Sequence, residues 1–163
     1  MARARTPEPD PPGDSPWLTP AEKEAWTGLV SLILLMPGRL EAPLRKVDLT
    51  LFEYLTLSHI SEADDRRIRM SDLAYLTNGS LSRLSNVVKR FEQRGWVVRS
   101  PDPTDGRYTL AALTDVGYRL VVDAAPIHVQ AVREFVLDPL STTDQQALAR
   151  IAAKLKIRPA DLA

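Results

Sequence analysis

Cysteine is absent from the 163-residue chain. That excludes a disulfide scaffold, a cysteine zinc site, a thiol redox sensor and a cysteine nucleophile. Histidine is scarce: His59 and His128 are the only two. They fall in different helical segments without the i, i+4 spacing of a metal pair, so no metal is expected. Net charge is missing too, with 21 Lys plus Arg against 21 Asp plus Glu. This excludes a uniformly basic, histone-like protein and an acidic disordered tail, but it leaves room for charge segregated along the chain. No long hydrophobic run exists. The longest, Leu29 to Met36, is eight residues and contains Ser31, against ~20 for a membrane span; it is expected as a buried helix segment. Arg3 and Arg5 lead into Pro and Asp rather than the apolar stretch of an export signal. The expectation is a soluble, cytoplasmic protein without a membrane partner. Neither a Gly-x-Ser-x-Gly elbow, a phosphate-binding glycine loop nor a Ser-His-Asp arrangement is present, so neither an enzyme nor a cofactor is expected.

The composition that remains is ordinary for a globular chain, 44% apolar and 26% charged, and the length suits one domain. Residues 1–16 hold Pro7, Pro9, Pro11, Pro12 and Pro16 with almost no aliphatic bulk, and are expected to be disordered. The single domain is then residues 17–163. Thr19-Pro20-Ala21-Glu22 begins a helix, with a hydroxyl cap, Pro at the first helical position and Glu three residues after the cap. From Leu29 onward its apolar surface is wider than one stripe, as in a dimer core. Pro37-Gly38 is expected to kink or interrupt it, with helical character resuming at Arg39 to about Lys46. Thr50 to Glu53 is a second capping box, opening a helix that ends near Ala63, before the charged loop Asp64 to Arg67. A short helix capped by Ser71 runs to Thr77. Asn78-Gly79 is a turn, and Ser80 caps a helix from Leu81 to about Arg94 that stops at Gly95. Two helices joined by a short turn containing Gly have the form of a helix-turn-helix. Val97–Ser100 and Tyr108–Leu113 read as a β-hairpin with a turn-rich tip. Thr114-Asp115 starts a long helix to about Leu137, interrupted or kinked at Pro126, and Ser141 to Asp144 caps a last helix with Leu148, Ile151, Ala152 and Leu155 on one face.

Charge is indeed segregated. Residues 66–107 hold nine basic and four acidic side chains, a surplus of five positive charges that the rest of the chain cancels. This positive segment coincides with the helix pair and the hairpin, where phosphate contacts would be needed. At 100° per residue, Leu81, Leu84, Val87, Val88 and Phe91 fall in one stripe of the second helix. Ser82, Asn86, Lys89 and Gln93 face the other way, flanked by Arg83, Ser85 and Arg90. No acid precedes Glu92 on the outer face. Asn pairs bidentately with adenine, Arg with guanine, and Ser with several base edges. At the hairpin tip, Asp105-Gly106-Arg107 offers an arginine to a minor groove; the bland alternative is an Asp105–Arg107 bridge that only rigidifies the turn, and both can hold together.

Ser71 to Gly95, followed by Asp105-Gly106-Arg107 and Leu113-Thr114, resembles the helix-turn-helix and wing signature of the MarR (multiple antibiotic resistance regulator) family. The resemblance covers about residues 19–156. It implies a mainly α fold with a small β-hairpin wing: a winged helix-turn-helix lobe at 49–113, and dimerisation helices at 17–46 and 114–158. The implied function is a homodimeric, sequence-specific regulator of transcription, a repressor at a palindromic operator in double-stranded DNA. The residues expected to bind DNA are Ser82, Arg83, Ser85, Asn86, Lys89, Arg90 and, in the wing, Arg107. A small aromatic effector is implied as well, with Trp26, Met36, Arg39 and His59 as candidate contacts. The alternative from another class is a winged-helix protein-interaction module that leaves DNA alone.

Overall fold

The computed structural model describes residues 16–155; the proline-rich segment expected to be disordered lies, but for Pro16, outside the described residues. These divide into two compact units, with the boundary after Gly38.

Helix α1, Pro20–Leu44, starts as its residues dictate. The Thr19 hydroxyl accepts from the Glu22 N–H, and the Glu22 carboxylate accepts from the Thr19 N–H at 2.8 Å. The expected interruption at Pro37-Gly38 is absent: the helix is unbroken across both residues. Pro37 lacks an N–H, so the Ile33 carbonyl loses its intrahelical donor, and on a helix surface water replaces it. The expected burial of Leu29 to Met36 is not met within one chain. Exposure runs from 36% at Leu29 to 72% at Leu34, with Trp26, Leu32, Ile33 and Leu35 between. By length and composition alone the stretch Pro20–Val47, with mean hydropathy 1.2, is apolar enough to cross a membrane. A helix covered by a protein partner has the same composition.

The second unit holds the hydrophobic core. Helix α2 spans Leu51–Glu62 and opens on the anticipated box, with Thr50 accepting from the Glu53 N–H and Glu53 accepting from the Thr50 N–H. Strand β1 is Arg67–Arg69, helix α3 Met70–Leu76 and helix α4 Leu81–Gln93. Strands β2, Val97–Pro101, and β3, Thr109–Leu113, form the hairpin. β1 is not expected from sequence, where Asp64 to Arg67 is a charged loop. It pairs antiparallel with β3, Arg67 opposite Ala112, so the sheet has order β1-β3-β2 with β3 central. The Ser71 cap is also corrected. α3 begins two residues earlier, and Arg69 occupies the capping position without a side-chain bond, because its backbone is already extended as the last residue of β1. Leu44, Leu49, Leu57, Ile60, Leu73, Leu84, Val88, Phe91 and Val97 are buried together, each worth about 1.5–3 kcal/mol removed from water.

Helix α5, Asp115–Val132, runs through Pro126 without a break and passes into a wider helical turn at Arg133–Leu137. Helix α6, Thr142–Lys154, has the Ser141–Asp144 box. Its stripe of Leu148, Ile151 and Leu155 is exposed in the single chain.

Candidate nucleic-acid interface

α3 and α4 are joined by a tight turn in which Asn78 adopts a left-handed conformation (φ 48°). Among non-glycine residues Asn tolerates that conformation best. Ser80 then caps α4 by accepting from the Arg83 N–H at 3.2 Å. α4 is strongly two-sided. Leu84, Val87, Val88 and Phe91 are at most 5% exposed and anchor it in the core. Ser82, Arg83, Asn86, Lys89 and Arg90 are exposed, and Ser85 is half-buried. Leu81 departs from the expected inner stripe. It is 56% exposed, because it precedes Leu84 by a full turn and projects past the edge of the core.

The exposed residues differ in freedom. Ser82, Asn86 and Lys89 have no side-chain hydrogen bond or ion pair among the described residues. The Arg83 guanidinium lies over the Phe52 ring, 4.1 Å from its centroid. Arg90 donates to Glu53 at 2.9 Å. Burial pushes the Glu53 carboxyl up, but the bonds from Arg90 and Thr50 outweigh this and hold it below the ordinary glutamate range. α2 therefore fixes two of the cations of α4. Phe52 and Glu53 were missed as site residues. The capping box flagged Glu53 only as a helix start, and nothing local in sequence reports that it faces Arg90. Glu41, Thr50, Phe52, Arg83, Asn86, Val87 and Arg90 line a cleft of about 360 Å³ beside α4.

The wing is braced at its base and at its tip. At the base, Asp102 is buried and accepts from the Thr104 hydroxyl and N–H at 2.7 and 2.8 Å. Arg69 of β1 donates to its other oxygen at 2.7 Å. These bonds, Thr104 first, depress the Asp102 pKa to about 2. Arg69 also lies 4.4 Å from the centroid of the Tyr108 ring. At the tip, Arg107 binds Asp105 through Nε at 2.9 Å and Nη2 at 2.6 Å. Its side chain is nonetheless 85% exposed, and the bond draws the Asp105 carboxyl below its usual range. So the local bridge exists, and it leaves the guanidinium's outer edge in solvent. Arg99 is similarly tied to Glu92 at 2.6 Å, while Arg94 is paired with Asp48 at 3.0 Å.

The four candidate effector residues are split between the two units. Trp26 is exposed and Met36 half-buried in the first. In the second, Arg39 lies 5.4 Å from the centroid of the Phe135 ring, and His59 is half-buried on α2. His128 is the one described residue with a buried side-chain polar atom lacking a partner, Nδ1. It packs 4.5 Å from the Tyr54 ring, and burial pushes its pKa down. Among the described residues no cluster of His, Asp and Glu is arranged to hold a metal.

The MarR family sequence profile matches residues 47–107, from just past α1 through the wing tip. AbsC, a MarR family transcriptional regulator from Streptomyces coelicolor, is 35% identical, with a TM-score of 0.82 over 86% of this chain and 95% of its own. Sco3205, a MarR family transcriptional regulator from the same organism solved in complex with DNA, is 36% identical, with a TM-score of 0.81 over 85% and 91%. YdcH of Bacillus subtilis (strain 168), an uncharacterized HTH-type transcriptional regulator, is 30% identical over 86 residues, which is 52% of this chain and 58% of YdcH. The chain thus spans little more than half the length of the curated relatives it matches.

Proposed function

Since the chain belongs to the MarR family of transcriptional regulators and has its winged-helix fold, we propose that it acts as a cytoplasmic homodimeric repressor at a palindromic operator, with no catalytic role. The observation that carries this reading is the make-up of α4: an outer face of hydroxyls, an amide and cations, with no acid in the first turn, standing on a fully buried apolar face. Sco3205 was solved with DNA, and its similarity supports the same partner here. Ser82, Arg83, Ser85 and Asn86 would meet base edges, Lys89 and Arg90 phosphates, and Arg107 the flanking minor groove. The exposed apolar surfaces of α1 and α6 support burial against a second copy, which would set two α4 helices about one turn of duplex apart. A small aromatic effector belongs to the same proposal, with Trp26, Met36, Arg39 and His59 as its contacts; the Arg39–Phe135 pair would offer it a cation beside a ring.

Selection of bound duplexes from a random pool by the full chain tests this. The expected result is an inverted repeat bound by a dimer, as read by sedimentation, with affinity falling steeply as salt rises. Failure to recover any common sequence, with binding insensitive to salt, would instead favour the protein-interaction module.

A further inference from the structure

We propose that Leu81 is a specificity-determining residue that reads a thymine through its C5-methyl group. The inference rests on the DNA-binding role of α4 and adds to it a residue and a base.

A solitary exposed leucine needs no explanation. The position of this one does. Leu81 is the first residue of α4, between the Ser80 cap and the exposed pair Ser82 and Arg83. It lies one and two turns before Leu84 and Val88, which are fully buried, yet it is itself more than half exposed. The core therefore makes little use of it. A first helical turn ordinarily favours an acid, which the helix dipole stabilises, and α4 has none there. The end of the helix that would enter the groove first thus presents an aliphatic group, a hydroxyl, a guanidinium and, one turn on, the Asn86 amide. Hydrogen-bonding groups on the major-groove edge match the last three. The only apolar group on that edge is the thymine methyl, and it matches the first.

The test uses the full chain and the duplex recovered by the selection above, with deoxyuridine replacing each thymine in turn. Uracil removes the methyl and keeps every hydrogen-bonding group. For the wild type, one thymine and its symmetry mate should matter, each replacement weakening binding about fourfold, the worth of one methyl taken out of water. Leu81→Ala should bind the thymine duplex more weakly and be indifferent to that replacement, while a swap of the adenine read by Asn86 still costs it affinity. Leu81→Met should keep the thymine preference. Circular dichroism should show both variants folded, since the side chain is largely in solvent. Equal binding of thymine and uracil duplexes by the wild type, or a preference that survives in Leu81→Ala, would overturn the assignment while leaving DNA binding intact. Failure to bind any duplex would overturn both.

Discussion

Arg69 of β1 donates to Asp102 at the foot of the wing across 2.7 Å, joining two segments that the sequence separates by the whole helix pair. The hairpin is therefore part of a three-stranded sheet rather than a free finger.

Asp102 makes this brace sensitive to acid. Its pKa is lowered from 3.8 to about 2, so its stabilising contribution is fully present above the ordinary aspartate value and is lost as pH falls through about 2. Asp102→Asn should lower the thermal midpoint at neutral pH. In an acid titration followed by circular dichroism, the variant's midpoint should approach that of the wild type toward pH 2.

The Glu53–Arg90 pair should govern how many phosphates α4 can engage. Glu53→Gln removes the charge that holds Arg90 and keeps an acceptor for the Thr50 N–H. The plot of log affinity against log salt should steepen, by at most about one unit, for that variant, as the charge of Arg90 is no longer offset by Glu53 where it meets phosphate. Thr50→Ala, which removes the cap of α2, should cost about 1 kcal/mol in a urea titration.

Asn86 and Arg107 should separate base reading from grip. Asn86→Ala is expected to cost about 1–3 kcal/mol against the selected duplex and far less against a scrambled one. Arg107→Ala should weaken both alike and flatten the salt dependence. Parallel titrations of the two duplexes measure the difference.

Gly117 in the first turn of α5 leaves no room for a side chain. A Cβ there would sit 2.2 Å from the Trp96 carbonyl oxygen and 2.9 Å from its carbon. The clash is with backbone, which cannot swing aside, so Gly117→Ala should destabilise by about 1–3 kcal/mol or more in thermal unfolding. Gly28→Ala, where an added Cβ meets nothing within 4 Å in the single chain, should carry no such penalty.

Most helix starts were legible from local signals, the Ser71 cap excepted. The boxes at Thr19, Thr50 and Ser141 and the Ser80 cap need only neighbouring residues, and each helix starts where its cap stands. The buried face of α4 followed from its period, except at Leu81, where a periodic pattern cannot tell where the core ends. β1 escaped because Arg-Ile-Arg is too short a run for its alternation to signify a strand; only its distant partner β3 makes it one. Phe52 and Glu53 were hidden for the same reason, their roles being contacts across the fold. Pro37 and Pro126 do not interrupt their helices, because the missing N–H of an exposed proline leaves a carbonyl that solvent can satisfy.

Thr114 is the only residue between the last residue of β3 and the first of α5. Its hydroxyl donates to the Gly95 carbonyl at 2.7 Å and its N–H to that of Trp96 at 2.9 Å. With so short and so pinned a hinge, the strand and the helix cannot swivel separately. A tilt of α5 would be handed on to the hairpin as a displacement of its tip, the wing serving as a pointer mounted on the long helix.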